Sequence, residues 1–263
     1  MLIKMQIKRM CLRWQTLLAV LIGLLVVVIQ ALTINQVNAT RGVNNAFLHL
    51  TGFDFSGSGT TIYYLILPLM CGLAASSTFQ EDKRNHRLPQ LLSRRTQRQY
   101  LFSTTASSFI VGGLVGILPL LIEAGYFFIN FQVTNAPTGR DHQIISPSGW
   151  GYNFFIHNTL LFWLCTILIA FVFSGLFSLM GLVSSYFEIH SGVETIIPFV
   201  ISFITLLAAN LTGEIEASLY YVLTPTYSNS YSYTQWILLG YLLVILLAVF
   251  GLTWRQSKQD VFN

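Results

Sequence analysis

Leu17-Leu-Ala-Val-Leu-Ile-Gly-Leu-Leu-Val-Val-Val-Ile-Gln-Ala-Leu-Thr-Ile34 runs for 18 residues without a charge. A helix needs roughly 20 predominantly apolar residues to cross a hydrocarbon core about 30 Å thick. A cleaved signal peptide is the competing reading, since Val37-Asn-Ala39 resembles a cleavage site. The apolar stretch exceeds the roughly 7–15 residues of a signal core, so it reads as a retained span. The rest of the chain repeats the pattern. Of its 263 residues, 54% are hydrophobic and 9% charged, where a soluble domain carries about 25% charged residues. The mean hydropathy is +0.62. Most of such a chain cannot face water, and a single integral-membrane domain follows.

Five further spans are expected, at about 61–79, 100–128, 158–185, 195–211 and 236–254, with Pro68, Pro119 and Pro198 inside three of them. The apolar block 154–187 is too long for one perpendicular crossing at about 1.5 Å per residue. Its start, around His157 and Asn158, therefore falls at the interface. Residues 1–15 read as a basic amphipathic helix, with Ile3, Ile7, Met10 and Trp14 on one stripe and Lys4, Lys8, Arg9 and Arg13 beside it. Such a helix lies in the membrane interface; a plain positive flank orienting the first span is the other reading. The fold expected is all-α: six transmembrane helices and an interfacial N-terminal helix, in one domain spanning 1–263.

Charge orients the bundle. Twelve of the fourteen basic residues lie in the N-terminal segment, in 80–99 or in the C-terminal tail; only Arg41 and Arg140 fall on the other side. By the positive-inside rule both termini and residues 80–99 are cytoplasmic, in an inner or plasma membrane. An even number of spans agrees. The same placement accounts for the net charge of +4 and the pI of about 9.0 through lipid rather than nucleic acid, for which no aromatic-basic motif is present. Cys11, Cys71 and Cys165 avoid the expected outer loops, which argues against a disulfide framework.

The connection between the second and third spans reads Gln80-Glu-Asp-Lys-Arg-Asn-His-Arg-Leu-Pro-Gln-Leu-Leu-Ser-Arg-Arg-Thr-Gln-Arg-Gln-Tyr-Leu101. An acidic pair, Glu81 and Asp82, is followed by Arg84 and Arg87. Next comes an apolar ridge at helical spacing, Leu88, Leu91 and Leu92, and then Arg94 and Arg95. A short helix with such a ridge can dock into a groove on a soluble partner. An ordinary positive-inside loop is the equal alternative.

The stretch from Leu65 to Ile122 resembles the permease family of ABC type-2 transporters. The likeness lies in Glu81-Asp-Lys-Arg, Leu88…Leu91-Leu92, Arg94-Arg95…Arg98-Gln-Tyr-Leu101, Gly112-Gly113 and Leu118-Pro-Leu. Many members have a glycine shortly after the acidic residue, where this chain has Asn85-His86. The resemblance implies that Glu81, Asp82, Arg84, Arg87, Leu88, Leu91, Leu92, Arg94 and Arg95 meet a cytosolic ATPase subunit. It also implies that a second permease subunit, the same or related, completes the pathway, and that a peptide, drug or lipid-like compound is exported.

Small residues on the third span (Ser108, Gly112, Gly116) and the fourth (Ser174, Ser178, Gly181) mark faces for close helix packing, expected within the chain rather than between subunits. Glu123 is the one acid well inside a span and so a candidate for the pathway, although its place near the outer end favours a hydrated interfacial position. His49 and His157 are expected at the outer surface. Glu188-Ile-His190 lacks the further ligands of a metal site. No Gly-x-x-x-x-Gly-Lys-Ser/Thr phosphate loop occurs, so ATP hydrolysis is expected on another chain, and no cofactor is expected. A non-transporting membrane sensor or assembly factor is the alternative function; an intramembrane enzyme would need a convergent polar cluster that the sequence lacks.

Overall fold

A computed structural model of the chain describes residues 2–41, 45–54, 58–85, 88, 96–135, 145, 151–187, 192–228 and 233–258. Every regular element among them is helical. Six helices are long and apolar enough to cross a membrane: Trp14–Ile34, Ser58–Arg84, Gln97–Asn130, Thr159–Phe187, Val193–Thr212 and Thr234–Gln256. These first to sixth spans make the chain a multi-pass membrane protein.

The second span is two helices, Ser58–Ala75 and Thr78–Arg84, joined through Ser76 and Ser77. Hydroxyls ease the break. Ser76 Oγ donates to the Gly72 carbonyl, and Thr78 Oγ1 donates to the Ala75 carbonyl at 2.9 Å. Side chains of this kind compete with the helix ladder. The 154–187 block divides at Asn158, between a short helix Tyr152–His157 and the fourth span.

The third and fourth spans make the most extensive helix–helix contact, with the second packed against both. Small side chains permit this approach. A Cβ on Gly112 would collide with Ser178, and one on Gly116 with Ser174. In lipid, where apolar surface gains little by associating, such close backbone packing is what holds helices together. The central core is Tyr63, Leu67, Met70, Phe173, Leu176 and Phe177. Burial falls from 72% of the apolar window in the second span to 22% in the fifth and 11% in the sixth. The last two spans are therefore the periphery.

The N-terminal helix, Leu2–Cys11, lies against the third span, with Ser107 Oγ donating to the Ile3 carbonyl at 3.3 Å. Its buried side chains are Gln6 and Met10, whereas Ile3 and Trp14 are exposed. The inward face is thus rotated from the expected Ile3–Trp14 stripe, because this helix packs on protein as well as facing lipid.

At the end of the bundle away from the N-terminus, two connections fold back onto the helices. Residues 45–54 lay Phe47, Leu50 and Phe53 against Phe127, Phe155 and Phe162. The fifth span ends at Gly213, whose φ of +81 suits a residue without Cβ. Beyond it, Leu219, Tyr220, Val222 and Leu223 are buried, so the connection expected as an outer loop inserts into the bundle. The two connections meet at Gly52 (φ +89), where a Cβ would lie 2.8 Å from Pro225 and 2.9 Å from the Tyr64 hydroxyl.

Candidate functional site

The acidic pair that closes the second span is clamped by the N-terminal helix and the bend that follows it. Asp82 is fully buried and pairs with Arg9 at 2.5 Å, and its other oxygen accepts from the Tyr100 hydroxyl at 2.7 Å. Glu81, a third exposed, pairs with Arg13. Arg13 also donates to Ser77 Oγ at 3.3 Å and to Thr78 Oγ1 at 3.1 Å. Burial pulls the Arg13 guanidinium below its ordinary pKa, and the Glu81 carboxylate opposes that shift. Arg9 lies on the N-terminal helix and Arg13 in the bend that follows it, so consecutive parts of the chain reach the two adjacent acids.

Further bonds tie the same end together. The Thr16 hydroxyl donates to the Met10 carbonyl at 2.6 Å and to the Ala74 carbonyl at 3.1 Å, joining the N-terminal helix and the first span to the second. Gln97 Nε2 donates to the Gln256 carbonyl at 2.9 Å, bringing the end of the sixth span to the start of the third. Beside the clamp, Gln15, Gln80, Glu81, Arg84 and Glu194 line a polar cleft of about 230 Å³. Glu194 is itself buried and accepts from the Gly192 N–H at 2.9 Å.

Asp82 leaves the second span and Tyr100 enters the third, so their hydrogen bond ties the start of the charged connection to its end. Arg84 is exposed. Leu88, expected among the apolar anchors for a partner, is 3% exposed and belongs to the same core cluster as Met10, Phe79, Tyr100 and Leu101. It anchors the segment to its own bundle, in a cluster to which the N-terminal helix and the two spans contribute. Asp82 is likewise sealed inside the chain. Arg87, Leu91, Leu92, Arg94 and Arg95 lie outside the described residues, as do Glu188 and His190.

Ser108, Gly112 and Gly116 share one helix with its small-residue face towards Ser174 and Ser178, so these residues meet inside one chain. Gly181 faces Ser76 and the Glu194 carbonyl. Glu123 is 1% exposed. This corrects the hydrated position expected for it: the carboxylate accepts from the Thr51 N–H at 3.2 Å and its hydroxyl at 2.9 Å, because residues 45–54 fold over it. His49 is also buried, its ring stacked 4.0 Å from Phe131, while His157 is exposed. Among the described residues no group of three His, Cys, Asp or Glu side chains could hold a metal ion.

The clamp partners Arg9, Arg13 and Tyr100 were not singled out by sequence. The available signal was two arginines close together near the N-terminus and two adjacent acids far along the chain. No known family's model, no curated protein and no solved structure matches the chain.

Proposed function

We propose that this chain is the membrane-spanning permease subunit of an ATP-driven transporter of the ABC type-2 kind, exporting a peptide, drug or lipid-like compound. Two such subunits, identical or related, would pair with two cytosolic ATPases. The observation that carries the reading is the double clamp, Arg9–Asp82 and Arg13–Glu81, with Tyr100 closing the loop onto Asp82. A segment that relays a push from a soluble motor must be stiffly joined to the helices it moves. The 81–98 connection is fastened at its root to the N-terminal helix and to two spans at once. Closure of the ATPases would then tilt these elements together, shifting a two-state equilibrium of the pathway.

With Leu88 committed to the core, Leu91 and Leu92 are the apolar anchors for the ATPase, and Arg94 is a rim charge. Buried apolar anchors at an interface centre often cost more than about 1–2 kcal/mol each when truncated, whereas exposed ion pairs are worth roughly 0–1 kcal/mol. Replacing Leu91 and Leu92 together with Asp should abolish co-purification of the ATPase and uncouple transport while membrane insertion stays intact. Arg94→Gln should act more weakly. A double variant that inserts, retains its ATPase and transports at the parental rate would sink the coupling assignment. The purified chain alone should turn over no ATP, and turnover free of any co-purifying ATPase would place a motor in this chain instead.

A further inference from the structure

Between the fourth, fifth and sixth spans lies a cavity of about 430 Å³. It occupies the half of the bundle towards the basic end, bounded by Val183 and Phe187 on the fourth span, Ile197 and Ile201 on the fifth, and Tyr241 to Leu252 on the sixth. Its volume falls within the range of ligand sites, about 300–1,000 Å³. It opens sideways, since Phe187 is 56% and Val244 65% exposed, which in a membrane means towards lipid.

The polar side chains in the wall are already engaged. Tyr241 donates to the Ala217 carbonyl at 2.5 Å, Thr205 to the Ser202 carbonyl at 2.7 Å, and Ser184 to the Gly181 carbonyl at 2.6 Å. No donor is left seeking a partner, so the cavity suits hydrocarbon. The lining of the sixth span from Tyr241 to Leu252 rises about 16 Å at about 1.5 Å per residue. One leaflet's share of a hydrocarbon core about 30 Å thick is about the same length.

A basic residue stands on the same helix face just beyond the lining. Tyr241, Val244, Ala248 and Leu252 follow one another at three- and four-residue intervals along one helix face, and Arg255 is the next step of that row. Arg255 is exposed and forms no ion pair among the described residues. Lys258 stands one turn beyond it, 3.6 Å over the Trp254 ring. An apolar slot one leaflet long that ends at a free guanidinium complements one class of molecule. We infer that the cavity is a specific site for one acyl chain of an anionic bilayer phospholipid, with its headgroup held at Arg255. The site goes beyond the permease reading and stands whether or not the chain is a permease.

The full chain is purified into detergent containing equal amounts of phosphatidylglycerol and phosphatidylcholine with identical oleoyl chains, and bound lipid is counted by native mass spectrometry. The parental chain should retain one phospholipid and favour phosphatidylglycerol about fivefold. Ala248→Trp and Ile201→Trp place bulk in the cavity from opposite walls and should lose the lipid. Leu247→Trp, equally bulky but off the lining, should keep it. To separate blockage from misfolding, Ala248→Cys in a chain with Cys11 and Cys165 replaced by Ser is alkylated with N-benzylmaleimide after purification, and it should then lose the lipid. Arg255→Gln should retain a lipid with the headgroup preference near parity. Undiminished lipid in the alkylated chain, or no saturable lipid on the parental chain, would overturn the site. An unchanged preference in Arg255→Gln would overturn the headgroup placement.

Discussion

Asp82 and Glu81 are neighbours in sequence and differ in surroundings. The Asp82 side chain is fully buried, with Arg9 and Tyr100 as its partners, while that of Glu81 is 34% exposed. Breaking a buried pair from one side costs about 3–5 kcal/mol, because the remaining charge stays uncompensated. Arg9 retains some access to water, so Asp82→Ala should fall near the lower end of that range. Glu81→Ala should cost less, about 1–3 kcal/mol, because Arg13, 10% exposed, keeps the Ser77 and Thr78 hydroxyls as acceptors. Thermal unfolding of the two variants in one detergent compares them directly, and equal losses would mean that burial does not set the strength of the clamp. Glu123 offers a second test. Its carboxylate is the acceptor for both the N–H and the hydroxyl of Thr51, and a buried donor left without a partner costs about 1–3 kcal/mol. Glu123→Ala should therefore speed hydrogen exchange at the amides of 47–53 while leaving the basic end protected. Glu123→Gln, which keeps an acceptor oxygen, should do so less. Unchanged exchange in Glu123→Ala would show that the 45–54 segment is held by its aromatic packing alone.

Within the helices, glycine matters only where another helix comes close. Gly112, Gly116 and Gly125 share the third span, yet a Cβ collides with Ser178 at the first and with Ser174 at the second, and meets nothing within 4 Å at the third. Overpacking a tight contact costs typically about 1–3 kcal/mol, whereas replacing an unconstrained helical glycine with alanine gains about 0.5–1 kcal/mol. Gly116→Val should thus lower the unfolding temperature and Gly125→Ala should hold or raise it. The reverse order would contradict the packing of the third span on the fourth. The spans themselves were legible because a bilayer imposes a length, and uncharged stretches such as 17–34 and 236–254 meet it. The break at Ser76-Ser77 was not legible, since it depends on the Thr78 hydroxyl taking the Ala75 carbonyl, which the same sequence could have left in a ladder. Nor was the inward fold of Leu219–Leu223. Its tyrosine- and serine-rich surroundings read as a solvated loop, and only contact with the second, fifth and sixth spans buries it. At the candidate site the acidic pair stood out by composition, but its arginine partners lie more than 60 residues away. They became visible only once the N-terminal helix was laid across the second and third spans.

The whole molecule has two unlike ends. One carries the arginine clamps and the Gln97–Gln256 bond, and so gathers the N-terminal helix, the charged connection and the last turn of the sixth span. The other carries the folded-back connections that meet at Gly52. The twelve-to-two division of basic residues sets the expected orientation, with the clamped end in the cytoplasm, since translocating such a cluster is strongly disfavoured whereas two separated arginines are tolerated. Six spans return the chain to the side on which it began, so the two termini must agree with each other and with 80–99. The test uses a chain with Cys11, Cys71 and Cys165 replaced, bearing one new cysteine at a time in intact cells. A membrane-impermeant maleimide added outside should label Arg140→Cys and Ser228→Cys. It should leave Ser93→Cys unlabelled until the membrane is opened. Labelling of Ser93→Cys from outside, with Arg140→Cys protected, would invert the bundle. The ATPase reading would fall with it, because a coupling segment outside the cell has no nucleotide-driven motor to meet. Labelling of all three from outside would instead break the six-span count, since that count puts an odd number of crossings between 93 and each of 140 and 228.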